Sequence, residues 1–434
     1  MLMSLQLIYG PSGSGKSYTL YKKIIEQSIR EPDREFIVIV PEQFTMQTQR
    51  ELVELHPNRG ILNIDVQSFL RLAWRIFEEV GVDTHTVLED TGKNLLLRRV
   101  ASRQKNDLTV LGRNFRKPGY ISQVKSIISE LKQYDVSLEE LDEQLRSGKK
   151  DALSYKLQDI RNLYEGFQEE LQGKYITSEE ILEELCYVVK KSEILKGCVV
   201  ALDGFTGFTP IQNKLLRELM QTAEKIYVTV TLDAWEDPMK KVSMHKLSYL
   251  SKKTIQQLAG AAKECGCMLE KPEVLGKEGS IRFRSAPALR FLERHLFRPG
   301  NQIYEAQDSQ KLERELSLHV ARDAKAEAEF AARTIWHLVR EENLRYRDIA
   351  VITGDMESFG DHMKKELQQK GIPCFIDRTR KLLLNPLVEF LRAALQIAAK
   401  RFRYESMFRY LRTGLAGLKK DEIDRLENYV LANG

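Results

Sequence analysis

The chain has 434 residues, a formal net charge of +5 and 42% hydrophobic residues, which excludes a disordered or collagen-like chain. At roughly 100–200 residues per domain, this length predicts two to four domains. No run of about 18 apolar residues occurs, so a transmembrane helix is excluded, and the strand-like start without basic residues is not a signal peptide. The five cysteines lack a zinc-site spacing and indicate free thiols in a reducing cytoplasm.

Alternating strand and helix patterns open the chain. Residues 5–9 predict a strand, and a helical pattern at 18–29 follows a glycine-rich turn. The apolar run 36–40 predicts a strand buried on both faces, which is typical of a parallel sheet covered by helices. We then expect a helix at 44–55, a strand at 61–65 and a helix at 69–80.

A helical block interrupts this pattern between residues 89 and 196. The strand pattern returns at 198–202 and again at 225–232. A second α/β unit is predicted from strand patterns at 317–321, 349–353 and 371–376. Because that unit has too few strands to close a sheet, we expect the sequence to be the N-terminal part of a longer protein.

Residues 10–17 read Gly-Pro-Ser-Gly-Ser-Gly-Lys-Ser and match the phosphate-binding motif G-x-x-x-x-G-K-[ST] between a predicted strand and a predicted helix. Glycines let backbone N–H groups turn toward phosphate oxygens, while the lysine reaches the β- and γ-phosphates and the serine ligates Mg²⁺. The predicted nucleotide-binding residues are Gly10, Gly13, Ser14, Gly15, Lys16 and Ser17. The alternative is a Gly/Ser-rich turn without a ligand.

Asp203 ends a predicted strand and is, with Ser17, a candidate magnesium ligand. Helicase-type ATPases usually place a glutamate next to this aspartate to orient the attacking water. Here the next residue is Gly204, so the obvious catalytic base is absent and we predict no catalytic residue. The alternative is that Asp203 is only a polar residue at a strand end.

Polar and aromatic side chains follow the second and third predicted strands, where parallel sheets place their ligands. Gln43 and Thr45 suit hydrogen bonds to bases or phosphates. Phe69 and Trp74 suit base stacking, and Arg71 suits a phosphate or a base edge. The alternative is core packing, because the apolar residues of 69–80 have the spacing of a buried helix face.

Two stretches are basic although the net charge is small. Residues 98–132 contain nine basic and two acidic residues, and residues 277–303 contain six and two. Such stretches either neutralise phosphates along a nucleic-acid path or form solvated helix faces.

Taken in order, these motifs resemble the AddB family of the bacterial AddAB helicase–nucleases over essentially the whole chain. The other strings that carry the resemblance are Leu-Asp-Gly-Phe-Thr-Gly-Phe-Thr-Pro at 202–210, Tyr-Arg-Asp-Ile-Ala-Val at 346–351 and Gly-Ile-Pro-Cys-Phe-Ile-Asp at 371–377. The resemblance implies an α/β fold class with P-loop RecA-like domains of the superfamily 1 helicase type and large helical insertions.

The same resemblance predicts the domain organisation. Residues 1–88 and 197–235 would form the two parts of the first RecA-like domain, around a helical insertion at 89–196. A variable connector at 236–310, the start of a second RecA-like domain at 311–380 and the start of a second insertion at 381–434 would follow.

The resemblance also implies a function. It predicts a cytoplasmic, non-membrane subunit that binds ATP and Mg²⁺ and forms, with an AddA-type motor and nuclease subunit, a heterodimeric ATP-dependent helicase/exonuclease. Double-stranded and single-stranded DNA would be bound in double-strand-break repair and recombination. The residues expected on the 3′ strand, where some members read the Chi sequence, are Gln43, Thr45, Phe69, Arg71, Trp74 and Phe205.

A nuclease domain and an iron–sulfur cluster are expected only in a missing C-terminal part, so whether this chain alone is an enzyme stays open. Three departures argue against a motor: Gly204, the absence of Gly-Asp-x-x-Gln near 225–232, and Thr353 where related helicases often have an arginine. The alternatives are an active superfamily 1 helicase or translocase, and a nucleotide-binding scaffold subunit.

Overall fold

The structure is a computed structural model that describes residues 3–82, 86–104, 107–112, 118–147, 151–296, 298, 300–377, 382 and 385–433. It divides into two compact units, Met1–Leu316 and Ser317–Gly434. Across the described ranges, no helix combines the length and the apolar character that a membrane span requires.

The first unit is built on a parallel sheet. The strands in the described part of the chain are β1 Ser4–Gly10, β2 Phe36–Ile39, β3 Ile64–Gln67, β4 Thr86–Leu88, β5 Tyr175–Thr177, β6 Val199–Leu202, β7 Lys225–Thr231, β8 Met268–Leu269 and β9 Glu273–Val274. The main sheet has the order β3-β2-β6-β7-β1, and both β8 and β9 pair with the free edge of β1. All of its pairs are parallel, so the carboxyl ends of the strands meet at one edge.

Helices cover both faces of this sheet. Those of the first unit are α1 Lys16–Arg30, α2 Thr45–Leu55, α3 Phe69–Val80, α4 Asp90–Arg103, α5 Pro118–Gln133, α6 Leu138–Ser147, α7 Ala152–Leu171, α8 Ser178–Val188, α9 Pro210–Leu219, α10 Tyr249–Glu264, α11 Pro287–His295 and α12 Ser309–Glu315. Every residue of β2 is buried. Ile37 packs in a core with α3, α8, α9 and α10, while Phe36 packs with α1 on the opposite face. The strand predicted to be buried on both faces is therefore confirmed.

The third strand begins later than its pattern predicts. It runs over Ile64–Gln67 instead of 61–65. The Asn63 amide nitrogen lies 3.1–3.2 Å from the carbonyl oxygens of Ser28, Glu31 and Arg34, which ties the residue before β3 to the end of α1 and the turn that follows it.

Helices α4 to α7 form a separate layer with its own core, centred on Leu163 and Phe167 of α7. The fully buried Asp159 carboxylate accepts the backbone N–H groups of residues 109–111 and the Thr109 hydroxyl. One side chain thus replaces the missing backbone partners of a loop that belongs to no helix or strand.

The basic stretch at 98–132 is largely neutralised where the structure describes it. Arg103 pairs with Glu170 and Lys125 pairs with Asp90. Lys132 pairs with Glu180. Arg99 also lies 3.8 Å from Glu170, while Lys105, Arg113, Arg116 and Lys117 lie outside the described residues.

The second unit is helical. It contains α13 Ala324–Glu341, α14 Met356–Gln369, α15 Pro386–Ala399, α16 Tyr404–Leu411 and α17 Lys420–Asn433. Short 3₁₀ turns in the described part of the chain lie at Glu42–Phe44, Val189–Lys191 and Tyr346–Asp348. The strands predicted at 317–321, 349–353 and 371–376 are wrong. The described residues give these segments no hydrogen-bonded neighbour, and a strand exists only as part of a ladder. Val320 and Ile352 are both 94% exposed as a result.

Candidate nucleotide and nucleic-acid site

The phosphate-binding motif forms a tight loop between β1 and α1. Gly13 and Gly15 have φ angles of 74° and 90°, a left-handed backbone that glycine adopts without steric cost. A Cβ on Gly10 would lie 2.6 Å from the Leu275 carbonyl oxygen, so the end of β1 also requires glycine. The loop leads directly into the first turn of α1, which offers N–H groups and the positive end of the helix dipole to an anion.

Lys16 folds back over this loop. Its Nζ donates to the carbonyl oxygens of Gly10 at 3.1 Å and Pro11 at 3.0 Å. Burial lowers the pKa of Lys16, the Asp203 carboxylate opposes that shift, and the nearby Arg282 cation reinforces it. With glycine amides, a partly buried ammonium group and the Ser17 hydroxyl together, these groups fit a nucleoside triphosphate with Mg²⁺.

Asp203 lies at the carboxyl end of β6 and is buried. Its Oδ2 accepts a 2.7 Å hydrogen bond from the Tyr21 hydroxyl of α1, and its Oδ1 accepts one from the Thr229 hydroxyl of β7. Burial, followed by this carboxylate, raises the pKa of Tyr21. Each carboxylate oxygen therefore accepts one hydroxyl hydrogen, so a metal ion that bound here would share the carboxylate with Tyr21 and Thr229.

Gly204 follows with a φ of 79°. In this conformation a side chain carries a steric cost of roughly 1–2 kcal/mol. The backbone thus disfavours a glutamate at this position, where a helicase motor carries its catalytic base.

Three aromatic rings pack together beside Gly204. The centroid of the Phe205 ring lies 5.4 Å from that of Phe69 and 5.2 Å from that of Phe208. Phe69 is buried, while Phe205 and Phe208 are partly exposed. The structure thus brings together two predicted residues, Phe69 of α3 and Phe205 of the loop after β6. It adds Phe208, which sequence reasoning missed although the Phe-x-x-Phe spacing was visible.

The predicted polar residues after β2 differ in accessibility. Gln43 is exposed, whereas Thr45 is buried and donates its hydroxyl to the Glu42 carbonyl at 3.0 Å. Arg71 is exposed, and its Nε lies 3.2 Å from the Glu42 carboxylate. Phe44, which sequence reasoning also missed, is 42% exposed between them. Gln43, Phe44 and Arg71 therefore offer an amide, a ring and a guanidinium at this edge.

Trp74 lines a different cavity. Its ring packs edge-on against Phe77 with a centroid distance of 5.9 Å. The cavity has a volume of 590 Å³ and is lined by α3, α7 and α8, with Glu183 and Glu184 among its residues. Carboxylates in this position repel phosphate groups, so the cavity is less suited to a DNA backbone than the Phe69 and Phe205 surface. In the described residues, no group of three or more His, Cys, Asp or Glu side chains could hold a metal ion.

The sequence model of the family described as ADDB, N-terminal, matches residues 7–293, which is more than half of the chain. The chain belongs to the AddB family. The resemblance predicted from its motifs is thereby confirmed. A second family model, the UvrD-like helicase C-terminal domain, matches residues 284–432 of this AddB chain. With the parallel sheet and its phosphate loop, these matches confirm the predicted P-loop RecA-like fold.

Relatives of this AddB chain are named as the B-type subunit of an ATP-dependent helicase/deoxyribonuclease. The protein of Lachnoclostridium phytofermentans is 46% identical over 437 residues, covering 100% of this chain and 38% of its own length. Those of Clostridium tetani and Desulforamulus reducens are 36% and 34% identical, and each is covered over 37% of its length. The chain thus spans less than two fifths of the length of these curated relatives.

Proposed function

We propose that this AddB chain is a nucleotide-binding, strand-guiding subunit of an ATP-dependent helicase/exonuclease, and that it is not the motor. It binds ATP with Mg²⁺ at residues 10–17. It works with an AddA-type motor and nuclease subunit in double-strand-break repair and recombination. The observation that carries this proposal is an intact phosphate loop next to an aspartate whose two oxygens each accept a hydroxyl hydrogen and whose successor is a glycine with positive φ.

The strand path proposed for the 3′-terminated single strand runs along the carboxyl edge of β2, β3 and β6. Phe205 and Phe44 supply ring faces there, and Gln43 and Arg71 supply hydrogen-bond donors. Ring stacking contributes about 1–3 kcal/mol per base, and polar edges add the means to distinguish one base from another. The proposal includes reading of a Chi-type sequence at this edge. Trp74 and Thr45 remain proposed contacts, which require a rearrangement of their present surroundings.

Fluorescence anisotropy on the assembled heterodimer tests the strand path. Arg71→Ala combined with Phe44→Ala should weaken binding of a labelled 3′ single strand roughly tenfold or more. The matched control is Arg50→Ala, which removes another exposed arginine paired with a glutamate, 74% exposed on α2. Unchanged affinity in the double variant, or an equal loss in the control, would refute the strand-guiding assignment.

A measurement of ATP hydrolysis distinguishes the proposed non-motor subunit from an active helicase. We expect the purified chain to bind ATP, to lose that binding with Lys16→Ala, and to release no phosphate when single-stranded DNA is added. DNA-stimulated hydrolysis that depends on Lys16 would instead establish a motor and contradict the non-motor role.

A further inference from the structure

A segment distant in sequence lies across the phosphate loop. Residues 275–282, here called the strap, begin where β9 pairs with the end of β1, with Ile8 opposite Glu273 and Tyr9 opposite Val274. The Leu275 N–H then donates to the Tyr9 carbonyl at 2.8 Å. The strap therefore enters the site at the point where β1 ends and the loop begins.

The strap follows the loop residue by residue. The buried Ser280 donates its hydroxyl to the Ser12 carbonyl at 3.0 Å, and the Arg282 N–H donates to the Gly13 carbonyl at 3.2 Å. Two carbonyl groups of the loop are thus held by hydrogen-bond donors of the strap.

The approach of the strap is close enough to exclude side chains on the loop. A Cβ on Gly13 would lie 2.6 Å from the Ser280 hydroxyl oxygen, 2.7 Å from the Arg282 Cβ and 3.3 Å from its Cδ. The Arg282 side chain therefore starts against the phosphate loop itself. It is exposed, and the structure gives its guanidinium no ion pair with any described residue.

We infer that Arg282 is a second phosphate-binding cation of this nucleotide site, presented by the strap beside Lys16. Guanidinium groups bind phosphate oxygens through two parallel N–H donors, and such charge-assisted bonds are stronger than neutral ones. Within the loop, Lys16 partly satisfies its charge on the Gly10 and Pro11 carbonyls. An unpaired cation over Gly13 supplies the remaining positive charge that a polyphosphate requires. The inference rests on the proposed nucleotide binding and names a residue that the loop motif does not contain.

ATP titration of the purified protein tests this role. Arg282→Gln should weaken ATP binding roughly tenfold or more. Arg282→Lys should recover part of the loss, because it restores the positive charge but not the two parallel N–H donors. The matched control is Lys277→Gln, which removes another exposed cation of the same strap. Its ATP affinity should stay within about twofold of wild type.

Hydrogen exchange of residues 8–14 distinguishes phosphate contact from a structural role. The backbone bond from Arg282 survives a side-chain substitution, so protection of the loop should not change in Arg282→Gln. Loss of that protection, or a failure of Arg282→Lys to recover any affinity, overturns the inference. ATP binding that requires Lys16 but is unaffected by Arg282→Gln overturns the inference alone. An absence of ATP binding by the wild-type protein overturns the proposed nucleotide function and this inference together.

Discussion

Removing the Tyr21 hydroxyl tests whether Asp203 of this AddB chain is a metal ligand or only a hydrogen-bond acceptor. It donates to Asp203 Oδ2 at 2.7 Å, and both residues are buried. A hydrogen bond to a charged group contributes about 1.5–3 kcal/mol, and a buried carboxylate left without its donor costs a similar amount. Tyr21→Phe retains the ring, so we expect the first unit to lose about 2 kcal/mol of stability through this contact.

The same substitution should increase the effect of Mg²⁺ on ATP affinity. In the wild-type site each Asp203 oxygen accepts a hydroxyl hydrogen, and Tyr21→Phe removes the hydroxyl that competes with a cation for one of them. If Asp203 lies at the metal position, the ratio of ATP affinity with Mg²⁺ to ATP affinity in a chelator should rise roughly tenfold.

Two measurements on the same samples test both effects. Because the chain has two units, a single unfolding transition is not assumed, and hydrogen exchange of the β6 and β7 amides reports the stability of the first unit. Tyr18→Phe is the control, since Tyr18 lies on the same helix and is 57% exposed. A loss of stability in Tyr21→Phe with an unchanged magnesium ratio would show that Asp203 is a structural acceptor and not a metal ligand.

Two further predictions concern Lys16 and Asp159. Burial lowers the pKa of Lys16 below the ordinary 10.5, so its charge is present at neutral pH and is lost as the pH rises through the lowered value. ATP affinity should therefore fall at alkaline pH in the wild type and stay constant in Lys16→Arg. Parallel pH profiles of ATP affinity in the two proteins would contradict this. Asp159→Asn should destabilise the helical layer by about 3 kcal/mol, because an amide cannot accept all the N–H groups of residues 109–111. Faster hydrogen exchange confined to α4 and α7 would confirm it, whereas Asp90→Asn, at a carboxylate that is 73% exposed and pairs with Lys125, should change little.

The local elements of this fold were predictable because their signals are local. The glycine-rich loop, the apolar run of β2 and the aspartate at the end of β6 each carry their pattern within a few residues, and each lies where the pattern predicts. The predicted strands of the second unit failed for a physical reason. Their apolar patterns are real, but the described chain gives them no neighbouring strand to bond with.

The details of the site depend on contacts between distant residues. Tyr21 meets Asp203 across 182 positions, and Ser280 reaches Ser12 across 268. Neither pairing leaves a periodic signal, since each follows from the strand order and from β9 joining β1. The neutralisation of the basic stretch at 98–132 was likewise not predictable from its own residues, because the partner of Arg103 is Glu170 in another helix.

The nucleotide loop and the proposed strand path share one short segment of backbone. Asp203 bonds to Tyr21 on the helix that begins at the phosphate loop, and two residues later the Phe205 ring contacts Phe69 at the head of α3. Gly204 is the one residue between Asp203 and Phe205. We therefore expect a change in the bonding of Asp203 to shift the neighbouring aromatic surface. For this reason Tyr21→Phe should alter single-strand affinity as well as the magnesium ratio, whereas Tyr18→Phe should alter neither.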